Sequence, residues 1–395
     1  MTIRPARSSV VILLLAAGCS PAANPSATAS APTSASAIAS PSSDMPESSL
    51  APTTSANLID AINLAPRGLL TIEFTDWSLT KAQAGFPDLS GDSPQADRDA
   101  FLLTMQGTIN PPAPPTEFAA GTLARFARFQ RDRWGFDILD LEWEAAAFAN
   151  DGTRAGSATI IRFPEGFDLD PLLALLDERG YTSQVRNGVT IRSHDYSSEP
   201  WANAWLEMLN VAIYPDQRTL ALSALPGSLD PFADAAAEAD AERDDRRSFV
   251  AAAEALDDPS TAYLSDGAHL CTMLDPGNMP VPEVVQAELA AASPLNLYAT
   301  LGIGYARAHD PIGRMVFAYG LPTTAAADLA GRQGLATSGH SVRNESLTYS
   351  EFFTVEDAVV DGVVLRLELT PHSDSPRYLF LGVFLRDMSY AACAL

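Results

Sequence analysis

The chain reads as an α+β protein made of two tandem, antiparallel-rich sheet units with helices packed on one face of each. Three observations lead there. Paired strand signals closed by tight-turn dipeptides outnumber strand-helix-strand crossovers, which argues against a doubly wound parallel sheet. Helical segments between the hairpins carry clear start and stop signals. The order of these signals also recurs roughly 160 residues later, as a weak internal repeat without residue identity.

The first unit is expected over residues 57–232. It opens with the apolar run Leu69 to Phe74 and continues into helices near 95–107 and 116–132. Residues 136–148 alternate apolar and acidic and read as a strand, and Ser157 to Phe163 reads as its partner across the Asp151-Gly152 turn. A helix follows, with Asp170 as cap, Pro171 in the first turn, leucines on one face and Gly180 as terminator. Asn187-Gly188 supplies the positive φ angles of a two-residue hairpin between Thr182–Arg186 and Val189–His194. Val211–Tyr214 and Thr219–Ser223 form a further pair after a short helix holding Trp201 and Trp205.

A charged helical connector is expected over 233–257, and the second unit over 258–395. Its opener is Thr261 to Ser265, followed by a helix near 281–292. Strands are expected at Leu297–Ala306 and Arg314–Tyr319, and an alanine-rich helix from Thr323 ends at Gly334. Tyr349–Val360 and Val363–Thr370 flank Asp361-Gly362, and Arg377–Leu385 reads as a last strand.

The 395 residues carry 49 acidic against 25 basic side chains, a formal charge of −24. Such a field repels nucleic acid and anionic headgroups, so no nucleic-acid partner is expected. Hydrophobic content of 47% gives enough apolar surface for a large core. Lys81 is the sole lysine, so nearly all positive charge is arginine.

At the amino end, Arg4 and Arg7 precede the apolar run Val10 to Ala17, then Gly18 and Cys19. That run is too short to span a bilayer as a helix and reads as an export signal over residues 1–18. Leu15-Ala16-Ala17-Gly18-Cys19 resembles the signal box of bacterial lipoproteins, with Ala16 where leucine is commoner. The resemblance implies diacylglyceryl transfer to the Cys19 thiol and cleavage just before it, leaving two or three palmitate-class chains that anchor a protein firmly. It also implies a partner, the cell membrane or outer membrane, with the rest of the chain outside the cytoplasm. Residues 19–56 are almost wholly Ser, Ala, Thr and Pro, a composition that cannot offset chain entropy and serves as a tether. Its reach is roughly 35 Å as a coil and on the order of 110 Å fully extended.

With Cys19 acylated, Cys271 and Cys393 remain, and in an exported chain they are expected to pair. Asp140, Glu142 and Glu144 alternate along one expected strand, a pattern that could hold a hard cation or simply face solvent opposite Leu139, Leu141 and Trp143. Asp88, Asp92, Asp97 and Asp99 around Gly91 also suggest calcium, but their spacing does not fit the helix-loop-helix calcium loop, and a loop followed by a capped helix explains them as well. Trp201 and Trp205, one helical turn apart, could stack on a sugar or lipid, or pack a helix onto its sheet. His194-Asp195 and His309-Asp310 stand at strand ends without metal-ligand spacing, and His269 with Cys271 lacks a second ligand pair. No nucleophile elbow, zinc-peptidase helix or phosphate loop is present, so no cofactor, metal or catalytic residue is assigned. The expected role is a non-catalytic binding or envelope-structural ectodomain with an unidentified envelope protein or ligand. A transporter's solute-binding lipoprotein or an extracytoplasmic hydrolase is the alternative.

Overall fold

The computed structural model describes residues 56–105, 127–150, 152, 155–195, 208–225, 227–237, 244–273, 281–292, 294–307, 311–372 and 378–393. Cys19, the signal, nearly all of the tether, Trp201, Trp205 and His309 lie outside them.

The α+β class holds, and its sheet is a single one. The strands are β1 (Leu69–Asp76), β2 (Trp143–Asn150), β3 (Ala155–Arg162), β4 (Thr182–Arg186), β5 (Val189–Ser193) and β6 (Asn210–Tyr214). They continue as β7 (Thr219–Ser223), β8 (Thr261–Asp266), β9 (Thr300–Arg307), β10 (Pro311–Ala318), β11 (Phe353–Asp361) and β12 (Val364–Pro371). All twelve join in the order β11-β12-β10-β9-β8-β1-β2-β3-β7-β6-β5-β4, and every neighbouring pair is antiparallel.

Within this sheet the expected repeat takes a concrete form. The first half runs β1-β2-β3-β7-β6 and the second β8-β9-β10-β12-β11, so in each the last strand returns beside the third. The β4–β5 hairpin is an addition to the first half, built on the positive φ of Asn187 and Gly188 (50° and 83°). The two openers meet at the centre, where Thr71 faces Ser265, Glu73 faces Tyr263 and Thr75 faces Thr261. Their sequences, Thr71 to Asp76 and Thr261 to Asp266, end in the same device. The Asp76 carboxylate accepts from the Leu79 N–H at 2.7 Å and that of Asp266 from the His269 N–H at 2.9 Å, each capping the helix that follows.

The helices are α1 (Ala56–Leu64), α2 (Trp77–Gln83), α3 (Gln95–Met105), α4 (Ala127–Trp134), α5 (Asp170–Glu178) and α6 (Asp230–Ala236). The remainder are α7 (Arg247–Leu256), α8 (Gly267–Met273), α9 (Glu283–Ala291), α10 (Pro322–Ser338) and α11 (Tyr378–Leu385). They do not lie on one face, as the sequence led us to expect. One face of the central strands buries Ile72, Phe74, Ala145, Ile160, Leu264 and Val316 beneath α1, α6 and α7. The other face carries two clusters. Trp77, Phe101, Trp134, Phe163 and Leu172 pack on the first half, and Tyr298, Phe317, Leu335, Leu367 and Tyr390 on the second.

The physical reason is visible along the strands, where alternate positions are small and apolar rather than polar. On β9, Leu301, Ile303 and Tyr305 face one way while Gly302 and Gly304 face α7, and a Cβ on Gly304 would meet Leu256 Cδ2 at 2.9 Å. Large-then-small alternation builds a sheet covered on both sides. The expected connector therefore supplies core helices, since Ala233, Phe249, Ala252 and Leu256 are all buried.

Local differences have local causes. Residues 378–385, expected as a strand, form α11, because a uniformly apolar run has no period to distinguish the two. Asp170 sits in the first turn of α5 rather than capping it, and the N–H of Asp170 is instead satisfied by the Asp168 carboxylate at 2.9 Å. Helix α10 runs through Gly334 and stops at Gly339.

Gly267, where α8 leaves β8, is required by a close crossing: an added Cβ would fall 1.9 Å from the Tyr298 carbonyl oxygen. Because that obstacle is backbone, it cannot swing aside. We expect Gly267→Ala to cost roughly 2 to 4 kcal/mol in denaturant unfolding, well beyond an ordinary glycine-to-alanine change; a cost under about 0.5 kcal/mol would show the crossing to be looser than described.

Candidate functional site

The two apolar clusters on the second face leave a band between them, floored by β2, β1 and β8. Cross-strand register places its side chains in rows. Glu144 lies opposite Thr75, which lies opposite Thr261; in the next row are Ala146, Glu73 and Tyr263; beyond them come Phe148, Thr71 and Ser265. Residues paired across antiparallel strands project to the same side, so these form one surface.

The first row is fully enclosed: Glu144 is 1% exposed, and Thr75 and Thr261 are 0%. Neither Glu144 oxygen has a hydrogen-bond partner among the described residues, nor do Thr75 Oγ1 and Thr261 Oγ1. From α2, Thr80 Oγ1 and the Trp77 indole nitrogen are likewise buried without one. The indole dipole is close enough to favour the Glu144 anion slightly, yet it falls short of hydrogen-bonding geometry. Burial dominates and pushes the Glu144 carboxyl up to about 8, with the neighbouring Glu73 charge adding to the rise. Glu73, half-buried at the mouth of the band, is pushed up to about 7 by burial alone. Phe148, at the outer end, is 39% exposed.

The alternating acidic trio does not form a site. Trp143 is the first residue of β2, so only Glu144 belongs to the strand. Asp140 ends a 3-10 turn (Ile138–Asp140) and is consumed locally. It accepts from Arg131 Nη1 at 2.7 Å and from the N–H groups of Gly91 and Asp137 at 2.9 Å each. Glu142 lies 3.6 Å from Arg162 Nε. The solvated alternative also fails for Glu144, although Leu139, Leu141 and Trp143 are buried as it required.

The loop aspartates do not converge either, since Asp92 pairs with Arg131 and Asp99 accepts from Gln95 Nε2 at 2.7 Å. Lys81 acts as a staple, donating from Nζ to the carbonyls of Leu139 at 2.8 Å and Leu89 at 3.1 Å. Burial lowers its pKa, opposed by the charges of Asp140, Asp76 and Asp137.

Cys271 and Cys393 are joined in a disulfide with Cα atoms 5.7 Å apart, so the sulfur next to His269 is not available to a metal. His340 Nδ1 contacts Glu288 Oε1 at 2.5 Å, and His372 Nε2 lies 3.1 Å from Thr354 Oγ1 at an exposed strand end. Among the described residues no three His, Cys, Asp or Glu side chains are grouped to hold a metal ion, and no helix is long and apolar enough to cross a membrane. Sequence reasoning found Glu144 for the wrong reason and missed Glu73, Thr75 and Thr261. The available signal was the polar alternation Thr71, Glu73, Thr75 in an otherwise apolar opener, matched by Thr261 and Ser265 in the other.

No family model matches the chain, and no curated protein does. Among solved structures, crystal form I of TP0453 is similar at 8% identity with a TM-score of 0.34, over 82% of this chain and 96% of that one. A likeness that weak assigns neither a fold family nor an activity.

Raised carboxyl pKa values make stability depend on pH. Unfolded glutamates ionise near 4.5, so Glu144 contributes its full stabilisation below that pH and loses it as pH rises toward about 8. The ceiling for this loss is about 5 kcal/mol. We expect Glu144→Gln to flatten the profile, with wild type losing a few kcal/mol more than the variant between pH 4.5 and 8.5 in denaturant titrations. Parallel profiles would show that this carboxyl is not desolvated.

Proposed function

We propose that this chain is a lipid-anchored extracytoplasmic protein whose ectodomain acts by binding rather than catalysis. The observation that carries the reading is the Leu15 to Cys19 box behind a short apolar run and two arginines. An acylated Cys19 fixes one end to a membrane, and the Ser/Ala/Thr/Pro tether holds the ectodomain some tens of ångströms away. The Cys271–Cys393 disulfide supports export, because such bridges persist in oxidising compartments.

Two properties of the ectodomain favour a binding or envelope-structural role. Polar groups outside the central band are spent on architecture, as with Lys81 and Arg332, which donate to backbone carbonyls, and Asp140, which accepts from Arg131 and from two backbone N–H groups. The band itself offers carboxylate and hydroxyl oxygens in one enclosed row. A transporter's solute-binding component closes two lobes about hinge strands. Here one antiparallel sheet runs unbroken through the centre, which favours a rigid platform over a closing clamp.

Metabolic labelling with a fatty acid, followed by detergent phase partitioning, tests the address. Wild type is expected to carry label and partition with detergent, and Cys19→Ala to lose label and appear in the aqueous phase. Unlabelled wild type, or retention of Cys19→Ala in the detergent phase, would overturn the proposal.

A further inference from the structure

The central row encloses carboxyl and hydroxyl oxygens that have no hydrogen-bond partner among the described residues. Glu144 is a desolvated carboxyl, and no arginine, lysine or histidine is among the groups that act on it or on Glu73. Elsewhere the chain pairs its buried acids with care: Asp328 with Arg332 at 3.1 Å and Asp137 with Arg98 at 3.1 Å. Ionising a buried carboxyl that has no cationic partner costs several kcal/mol, and buried hydroxyls without partners are rare in native proteins. Here four such oxygens, two from Glu144 and one each from Thr75 and Thr261, lie on neighbouring residues of one cross-strand row. Glu73 adds a second carboxylate one row away at the half-open end.

These groups share three properties. All are oxygen acceptors, the set that hard cations prefer. Two carboxylates carry a charge that one divalent ion neutralises, whereas an organic ammonium would leave one negative charge uncompensated in a low-dielectric setting. The enclosure of Glu144, Thr75 and Thr261, none more than 1% exposed, suits a bare ion better than an organic molecule.

From this geometry we infer that the band is a binding site for a divalent oxygen-seeking cation of the calcium class, held by Glu144 and Glu73 with the hydroxyls of Thr75 and Thr261. It lies where β1 meets β8, so an ion there ties the two halves of the sheet together. The site is independent of the lipid anchor and stands or falls separately from it.

Terbium, a luminescent calcium substitute, makes a direct test because the Trp77 indole borders Glu144. The full-length chain, stripped with chelator, is titrated with calcium while its melting temperature is followed, and with terbium while indole-sensitised emission is read. A saturable calcium-dependent rise in melting temperature is expected, with half-saturation around 10⁻⁴ to 10⁻³ M or tighter, together with sensitised terbium emission that calcium displaces. Glu144→Gln is expected to weaken both at least tenfold, and Thr75→Val with Thr261→Val to weaken them while keeping side-chain shape. Trp77→Phe should lose the emission but keep the calcium-induced shift, which separates this site from other acidic patches. Should Glu144→Gln fold poorly, Glu73→Gln, at the half-open position, supplies the same comparison. Three results would overturn the inference: no saturable effect of calcium on wild type, a response unchanged in Glu144→Gln and Glu73→Gln, or stabilisation by an alkylammonium ion and not by calcium.

Discussion

The ladder between β1 and β8 is the constraint on which the rest of the molecule depends. Both strands open their half of the chain, and pairing them antiparallel joins a seven-stranded and a five-stranded arrangement into one sheet. Only then is there a continuous face for α1, α6 and α7 to cover, and the core beneath them draws on both halves at once, from Ile160 to Val316. A sheet this wide leaves few ways for its centre to be solvated. Side chains at the seam must be apolar or must find partners, and on the second face they are Glu73, Thr75, Glu144, Thr261 and Ser265. The seam thus sets polar side chains at the centre of the sheet, with Thr75, Glu144 and Thr261 fully buried.

Elsewhere buried charge is handled by arginine geometry. Arg332 is fully buried, yet its guanidinium donates to the carbonyls of Asn296, Tyr390 and Ala392 at 2.8 to 3.0 Å, meets Asp328, and lies 4.5 Å from the Phe317 ring centroid. A planar fork with five donors satisfies three carbonyls from two segments and a carboxylate together, more than the three donors of a lysine allow. The same contacts fix the chain just before Cys393, so the disulfide joins segments already held in place. Arg246 does similar work in the first half, donating to the carbonyls of Asn63 and Ala65. Against this background the unpaired Glu144 is an exception within its own protein.

Much of the fold was legible because its signals are local. Asn187-Gly188 encodes its turn in two residues, Gly362 with Val363 turns β11 into β12 one position later than Asp361-Gly362 suggested, and the leucines of α5 encode a helix face. What stayed hidden depended on partners distant in sequence. Glu144 looks like a solvent-facing residue when only its neighbours are read; burial comes from β1 and α2, far upstream. The second helix layer was missed because Ala145, Ala147, Gly302 and Gly304 signal a close helix only once the helix is known to be there. The uniform run of α11 carries no periodic signal at all. One feature was accessible and went unused: the match between Thr71 to Asp76 and Thr261 to Asp266, including the capping aspartates.

If the β1–β8 seam organises the molecule, its amides belong to the most stable cooperative unit. Native-state hydrogen exchange of peptides spanning 69–76 and 261–266 measures this directly. Both segments are expected to exchange only through global unfolding, with the same free energy and the same denaturant dependence. Exchange at the seam ahead of the outer strands, or two halves unfolding with separate free energies, would contradict it.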